Sequence, residues 1–225
     1  MTRIHVVVEG RTECAFIKGV LARLFWGCGV YIVAHLIGAR GHQGGAVTFL
    51  RLKNDVLRFL RQDRESVCST MFDYYGLAPD FPGKDRIVAN QSTSMKAEII
   101  ETALRDEIAR EMGSSFDPRR FIPYVQMHEF EGLLFSDPAS LAASLPNPGS
   151  EEQFRGIRGA FESPEDINDE YETSPSRRIM NVHPRYDKTT DGIIAAKAIG
   201  VDTMRKECPH FSAWVAKLES LGDKA

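Results

Sequence analysis

The chain has 225 residues, of which 43% are hydrophobic and 26% charged, with a formal net charge of −3 at pH 7. These proportions are ordinary for a globular protein that buries a full core, and they carry no signature of disorder. The acidic balance excludes a global attraction to nucleic acid, so such binding would need a local basic surface. No apolar run approaches the roughly 20 residues of a membrane helix, so we expect a cytoplasmic protein without a membrane partner.

The four cysteines, at positions 14, 28, 68 and 208, lack CxxC spacing. Three of them lie in apolar segments, which favours buried reduced thiols over disulfides or zinc ligands. Cysteine chemistry is therefore not predicted.

The chain opens with an apolar segment that ends in a carboxylate. The β-branched residues at positions 4–8 show no alternation, which is typical of a strand covered on both faces in a parallel sheet. From Thr12 to Phe25 apolar residues recur at helical spacing, which predicts an amphipathic helix. Glu9, in the turn between the two, is therefore expected at the carboxyl end of a strand, where open α/β sheets bind ligands.

Two further strands are predicted over residues 30–37 and 66–72, and Asp73 follows the second of them. Asp73 and Glu9 are thus expected at the same edge of the sheet. The glycine-rich residues 38–45 fit neither the P-loop nor the dinucleotide spacing. A helix is predicted over residues 47–60, and its polar side is basic. This basic side is either an ordinary solvated face or a surface that binds a phosphate backbone, and both interpretations stay open. That side carries Arg51, Lys53, Arg58, Arg61 and Arg64.

A helix over about residues 93–112 and a fourth strand over residues 121–127 precede the sequence HEFEGLLF at 128–135. If the chain stays extended there, Glu129 and Glu131 project to one side and add carboxylates to Glu9 and Asp73. The alternative, in which only one of the two glutamates matters, stays open. Oxygen ligands without a Cys/His cluster favour Mg²⁺ or Mn²⁺ over zinc.

Residues 136–225 are predicted to form a helical extension packed on an α/β domain of residues 1–135. Proline follows a capping residue or cysteine at four places, each of which marks a helix start. These places are Asp137-Pro138, Ser163-Pro164, Ser174-Pro175 and Cys208-Pro209. Arg177, Arg178 and Lys188 supply positive charge, for which phosphate contacts and ordinary ion pairs are both open.

Five motifs occur in order along the chain: VEGRTE at 8–13, DYYG at 73–76, HEFEGLLF at 128–135, PSRR at 175–178 and YDK at 186–188. Together they resemble an uncharacterised bacterial domain-of-unknown-function family of Toprim-like proteins, related to OLD-type nucleases. The resemblance implies a Rossmann-like parallel sheet of about four strands flanked by helices. Toprim domains carry Asp-x-Asp where this chain has Asp73-Tyr74-Tyr75, so the second aspartate is absent.

The resemblance implies a Mg²⁺- or Mn²⁺-dependent nuclease acting on DNA or RNA, in a phage-defence setting with an ABC-type or AAA-type ATPase partner. Glu9 is the implied general acid or base. The implied metal ligands are Glu9, Asp73, Glu129 and Glu131; Lys188 and Arg177 are the implied catalytic cations, and Arg11 and Arg178 the implied phosphate contacts. A catalytically inactive binding subunit of an ATPase complex and an RNA-directed enzyme are the alternatives. The oligomeric state is open, with a homodimer among the alternatives.

Overall fold

The computed structural model describes residues 1–38, 47–145, 149–167 and 170–222, and they form an α/β fold around a parallel sheet. The strand order is β2-β1-β3-β4, and β5 also pairs with β3. The strands are β1 (Thr2–Val8), β2 (Val30–Leu36), β3 (Val67–Asp73), β4 (Phe121–Ile122) and β5 (Val125–Gln126).

Helices cover both faces of this sheet. They are α1 (Arg11–Gly19), α2 (Phe49–Gln62), α3 (Thr93–Met112), α4 (Pro138–Ala143), α5 (Ser150–Gly159), α6 (Pro175–Val182), α7 (Asp191–Ile199), α8 (Val201–Glu207) and α9 (Pro209–Glu219). Alternate residues of β1 enter two hydrophobic cores, since Ile4 and Val6 pack with α1, α7 and α9, whereas Val7 packs with α2 and α3. Burial on both faces explains why β1 lacks polar alternation.

The first three strands and α3 confirm the predictions, but two elements differ. The helix predicted up to Phe25 ends at Gly19, and a 3₁₀ segment covers Leu21–Phe25. The predicted fourth strand is divided into β4 and β5 by Pro123, which has no N–H to donate to a neighbouring strand. Thr70 on β3 bridges the break, because its hydroxyl donates to the Tyr124 carbonyl and accepts from the Tyr124 N–H, both at 2.8 Å.

The helices after residue 135 share the core of the sheet. Phe211, Trp214 and Leu218 of α9 are buried in the same hydrophobic core as Ile4 and Val6. Trp214 Nε1 also donates to Ser69 Oγ at 2.9 Å. The boundary at residue 135 stays a prediction. Of the four proline-marked starts, three begin α4, α6 and α9, and the start at Ser163-Pro164 begins a 3₁₀ segment (Pro164–Asp166).

Three sequence predictions have simple structural outcomes. All four cysteines are free; Cys68 and Cys208 are buried, Cys14 is partly buried and Cys28 is exposed. Within the described ranges, no helix combines the length and apolar character needed to cross a membrane. Most of the glycine-rich stretch at 38–45 lies outside the described residues.

Candidate functional site

Two parallel neighbouring strands bring Glu9 and Asp73 to one edge of the sheet. β1 and β3 are paired in parallel up to Val8 opposite Met71, so Glu9 follows the last paired residue and Asp73 ends β3. Both carboxyl groups therefore leave the sheet at its carboxyl edge, as their positions after apolar strands predict.

Gly76 makes room for the Glu9 carboxyl group. A Cβ atom at position 76 would lie 2.2 Å from Glu9 Oε2, far inside van der Waals contact. The DYYG turn after β3 therefore requires glycine at its last position because the Glu9 side chain packs directly on its Cα.

A further carboxylate, from Glu13, belongs to the same site. Glu13 lies in the first turn of α1, and its Oε2 accepts a hydrogen bond from the Gly10 N–H at 2.8 Å. The side chain is only 6% exposed. The sequence predictions assign no role to Glu13, although a glutamate three residues after the helix cap is the signal of a capping box.

The segment after β5 is held against the DYYG turn by its backbone. The Tyr75 N–H donates to the His128 carbonyl at 3.4 Å, and the Phe130 N–H donates to Asp73 Oδ1 at 2.9 Å. His128 has a φ of 64°, and it is the one non-glycine residue with positive φ in the described part of the chain. A left-handed residue of this kind is strained and persists where its surroundings fix it, often at functional sites.

The prediction that Glu129 and Glu131 share an extended segment is wrong. Glu129 is extended, but a 3₁₀ segment, Phe130–Ser136, begins directly after it and contains Glu131. The apolar residues of this segment, Phe130 and Leu133 among them, are buried in the core, which favours a helical turn over a strand. Both glutamates nevertheless reach the same cation, Lys188.

Lys188 joins Glu129 and Glu131 from the C-terminal part of the chain. Its Nζ lies 3.2 Å from Glu131 Oε2 and 3.6 Å from Glu129 Oε1. Glu131 also accepts from the Tyr186 hydroxyl at 3.4 Å, and Glu129 Oε2 accepts from the Ser176 N–H at the start of α6 at 2.9 Å. We call Glu9, Glu13, Asp73, Glu129, Glu131 and Lys188 together the acid pocket.

Burial and neighbouring carboxyl groups shift the pKa values in the acid pocket upward. Burial raises the pKa of Glu9 to about 7, and Glu13 adds to the shift. Burial, followed by Glu13, Glu131 and Glu9, raises the pKa of Asp73 well above its usual range. Burial likewise raises the pKa of Glu131, which is 1% exposed, to about 7. Such shifts arise where buried like charges share a site.

Lys188 is the cation that opposes all of these shifts. It lowers the pKa of Glu9, Glu13, Asp73 and Glu131. Burial would lower the pKa of Lys188 itself, but Glu131, Glu129 and Asp73 raise it above its ordinary value. The ammonium group is therefore the shared counterion of the acid pocket.

The predicted arginine contacts are less well placed than Lys188. Arg178 donates from Nε to the Thr173 carbonyl at 2.7 Å and lies 5.4 Å from the centre of the Phe161 ring, so its guanidinium is already engaged by these two groups. Arg11 is the first residue of α1, and it is exposed. Arg177 lies on α6, next to the Ser176 N–H that binds Glu129.

The acid pocket offers the donor chemistry of a hard cation but not a preformed cage. Its side-chain donors are carboxylate oxygens, which suit Mg²⁺ or Mn²⁺. Glu9 Oε2 is buried and has no hydrogen-bond partner among the residues that the structure describes. Across the described ranges, however, no three His, Cys, Asp or Glu side chains are spaced to hold a metal ion in this arrangement. The donor type fits a cation, whereas the present spacing does not.

Comparison with known proteins places the chain in a family. Residues 8–219 match the family described as Domain of unknown function (DUF4276). The chain belongs to this family. The match includes every residue of the acid pocket. It confirms the part of the resemblance that assigns the chain to a domain-of-unknown-function family. A relationship of DUF4276 to Toprim domains or OLD-type nucleases stays a prediction, and no curated protein and no solved structure matches the chain.

Proposed function

We propose that this DUF4276 protein is a nuclease that hydrolyses phosphodiester bonds with Mg²⁺ or Mn²⁺ at the acid pocket. The observation that carries the proposal is the convergence of five carboxyl groups and one lysine at the carboxyl edge of a parallel sheet. Pockets with mutually raised carboxyl pKa values are typical of catalytic and cation-binding sites. The order of the motifs and their resemblance to Toprim-like proteins give independent support.

The residues of the acid pocket have separate proposed roles. Glu9 is the proposed general acid or base, because its pKa of about 7 allows it to bind and release a proton near neutral pH. Asp73, Glu129 and Glu131 are the proposed cation ligands, with Glu13 as an additional carboxylate. A bound divalent cation would supply charge stabilisation at the phosphate. Lys188, with Arg177 on the adjoining α6, offsets negative charge on the substrate.

The test is cleavage by the full chain. Supercoiled plasmid and total RNA are each incubated with the protein in Mg²⁺, in Mn²⁺ or in EDTA. We expect metal-dependent cleavage of one substrate class that Glu9→Gln and Asp73→Asn each reduce at least about a hundredfold. Glu152→Gln, on the exposed side of α5, is the matched control and should cleave like the wild type. Cleavage that persists in Glu9→Gln and Asp73→Asn would refute the proposal.

A second function is favoured by two observations. Tyr75 replaces the second aspartate of the Toprim pattern, and the carboxylates are not spaced as a metal cage. Both favour a binding or regulatory subunit that acts with an ATPase partner and has lost the chemistry. In the same assay such a subunit would cleave neither substrate, with or without Mn²⁺, and Glu9→Gln would change nothing.

A further inference from the structure

The lysine of the acid pocket occupies the space between two carboxylates. Lys188 Nζ contacts Glu131 Oε2 at 3.2 Å and Glu129 Oε1 at 3.6 Å. A cation shared by Glu129 and Glu131 would need the same space. The ammonium and a divalent cation are therefore competitors for these two oxygens.

Other oxygens of the acid pocket are already engaged by backbone N–H groups. Phe130 N–H binds Asp73 Oδ1 at 2.9 Å, and Ser176 N–H binds Glu129 Oε2 at the same distance. The oxygens that face Lys188 are thus the ones that an entering cation would take from it. This engagement gives a physical reason why no preformed metal cage exists among the described residues.

The backbone that carries Lys188 is fixed. Thr190 N–H donates to Asp187 Oδ1 at 2.7 Å, and Asp187 N–H donates to Asp191 Oδ2 at 2.9 Å, which closes the turn around Lys188. Tyr186, just before this turn, is buried against Gly192, where an added Cβ would lie 2.6 Å from the Tyr186 hydroxyl oxygen. The turn is therefore anchored on α7.

The side chain of Lys188, in contrast, has a route out of the pocket. It is 37% exposed, whereas the side chain of Glu131 is 1% exposed. Lysine carries a compact charge on a flexible stem, so its ammonium can move to water without movement of the turn. A fixed turn with a movable end has the properties of a tethered counterion.

We infer that Lys188 is a tethered counterion that holds the acid pocket together without metal and that a divalent cation must displace before it binds. The inference rests on the proposed function, because it assumes that the acid pocket binds Mg²⁺ or Mn²⁺. It adds that Lys188 weakens the metal affinity of the chain, because the same ammonium group stabilises the neighbouring carboxylates when no cation is bound.

Calorimetric titration of the full chain with Mn²⁺ tests the inference. Lys188→Met removes the competitor, so we expect it to bind Mn²⁺ at least about tenfold more tightly than the wild type. Lys53→Met, which breaks a lysine–glutamate pair between α2 and α3, is the matched control and should leave the affinity unchanged. Equal or weaker binding by Lys188→Met would overturn the inference alone. Absence of Mn²⁺ binding in both wild type and Lys188→Met would overturn the proposed function and the inference with it.

Lysine reactivity in the wild-type protein gives a test that does not depend on the folding of a variant. Reductive methylation followed by mass spectrometry is carried out with and without saturating Mg²⁺. Displacement of Lys188 from Glu131 should raise its methylation rate severalfold, while Lys53 should react at the same rate in both conditions. An unchanged rate at Lys188 in the metal-bound protein would overturn the inference.

Discussion

Two clusters of buried or partly buried acids lie in the described part of the chain, and they differ in how their charge is compensated. In the first, Glu165 accepts hydrogen bonds from the N–H groups of His210 and Phe211, each at 2.9 Å, at the start of α9. Glu101 Oε1 accepts from the Val125 N–H at 3.0 Å and contacts His210 Nε2 at 2.8 Å. His210 has its pKa raised overall: burial lowers it, but the hydrogen bond and charge of Glu101 more than offset burial.

In the acid pocket, five carboxyl groups depend on Lys188 and a few backbone N–H groups. Besides burial, which has the largest effect, Glu13 raises the pKa of Glu9, and Glu13, Glu131 and Glu9 raise the pKa of Asp73. A buried acid is therefore not in itself a functional site. The first cluster joins α9 to the sheet, whereas the second keeps a concentration of charge that stability alone does not require.

The substitution expected to change stability most removes Glu165 from the first cluster. Glu165→Ala should lower the free energy of unfolding by about 4 kcal/mol, because it leaves two buried N–H groups at the start of α9 without acceptors. Denaturant titration followed by circular dichroism measures the change. Glu162→Ala, an exposed neighbour, should lie within about 0.5 kcal/mol of the wild type. Equal effects of the two variants would contradict the structural role of Glu165.

Neutralising Glu9 in the acid pocket should raise the free energy of unfolding, whereas removing Glu165 lowers it. The pKa of Glu9 is about 7 in the folded chain and 4.5 ordinarily, so the wild type loses stability as the pH rises between these values. Glu9→Gln resembles the protonated form. In EDTA it should therefore be more stable than the wild type by about 3 kcal/mol above pH 7, with almost no difference below pH 4.5. A difference that does not change with pH would contradict the raised pKa.

A smaller effect is expected at the glycine beneath Glu9. Gly76→Ala should cost about 2 kcal/mol, because the new methyl group overlaps Glu9 Oε2 and displaces the carboxyl group. The matched control is Gly156→Ala on α5, where an added Cβ meets nothing within 4 Å and the substitution should stabilise the helix by up to about 1 kcal/mol. Denaturant titration of both variants measures the contrast. If both substitutions changed the free energy of unfolding in the same direction, the packing of Glu9 on Gly76 would be contradicted.

Local patterns were enough to predict most of the fold. The unbroken apolar run of β1 indicates burial on both faces, and β1 does separate two cores. The helix predicted over about residues 93–112 matches α3 at its observed bounds, and Ser92 Oγ caps it by accepting the Met95 N–H. A continuous fourth strand is predicted over residues 121–127, but Pro123 lies inside this range. Its missing N–H divides the strand, and only the position of Thr70 shows how the break is bridged.

The acid pocket was harder to predict because it joins distant parts of the chain. Strand ends predict Glu9 and Asp73, since parallel pairing fixes their common edge. An extended segment predicts Glu131 at the site, but the segment is helical from Phe130, where its apolar residues enter the core. Glu13 acts through a local hydrogen bond that its spacing indicates, but its charge matters only beside Asp73. The partnership of Lys188 with Glu131 depends on tertiary packing that no local pattern encodes.

The most direct test of the difference between the two clusters is Mn²⁺ binding, measured by calorimetry on the wild type, Asp73→Asn and Glu101→Gln. Both substitutions keep a hydrogen-bond acceptor and remove one charge, so they are matched in chemistry and differ in place. We predict that wild type and Glu101→Gln bind Mn²⁺ with equal affinity and that Asp73→Asn binds at least about tenfold more weakly. Equal binding by all three proteins, or no binding by the wild type, would contradict this prediction.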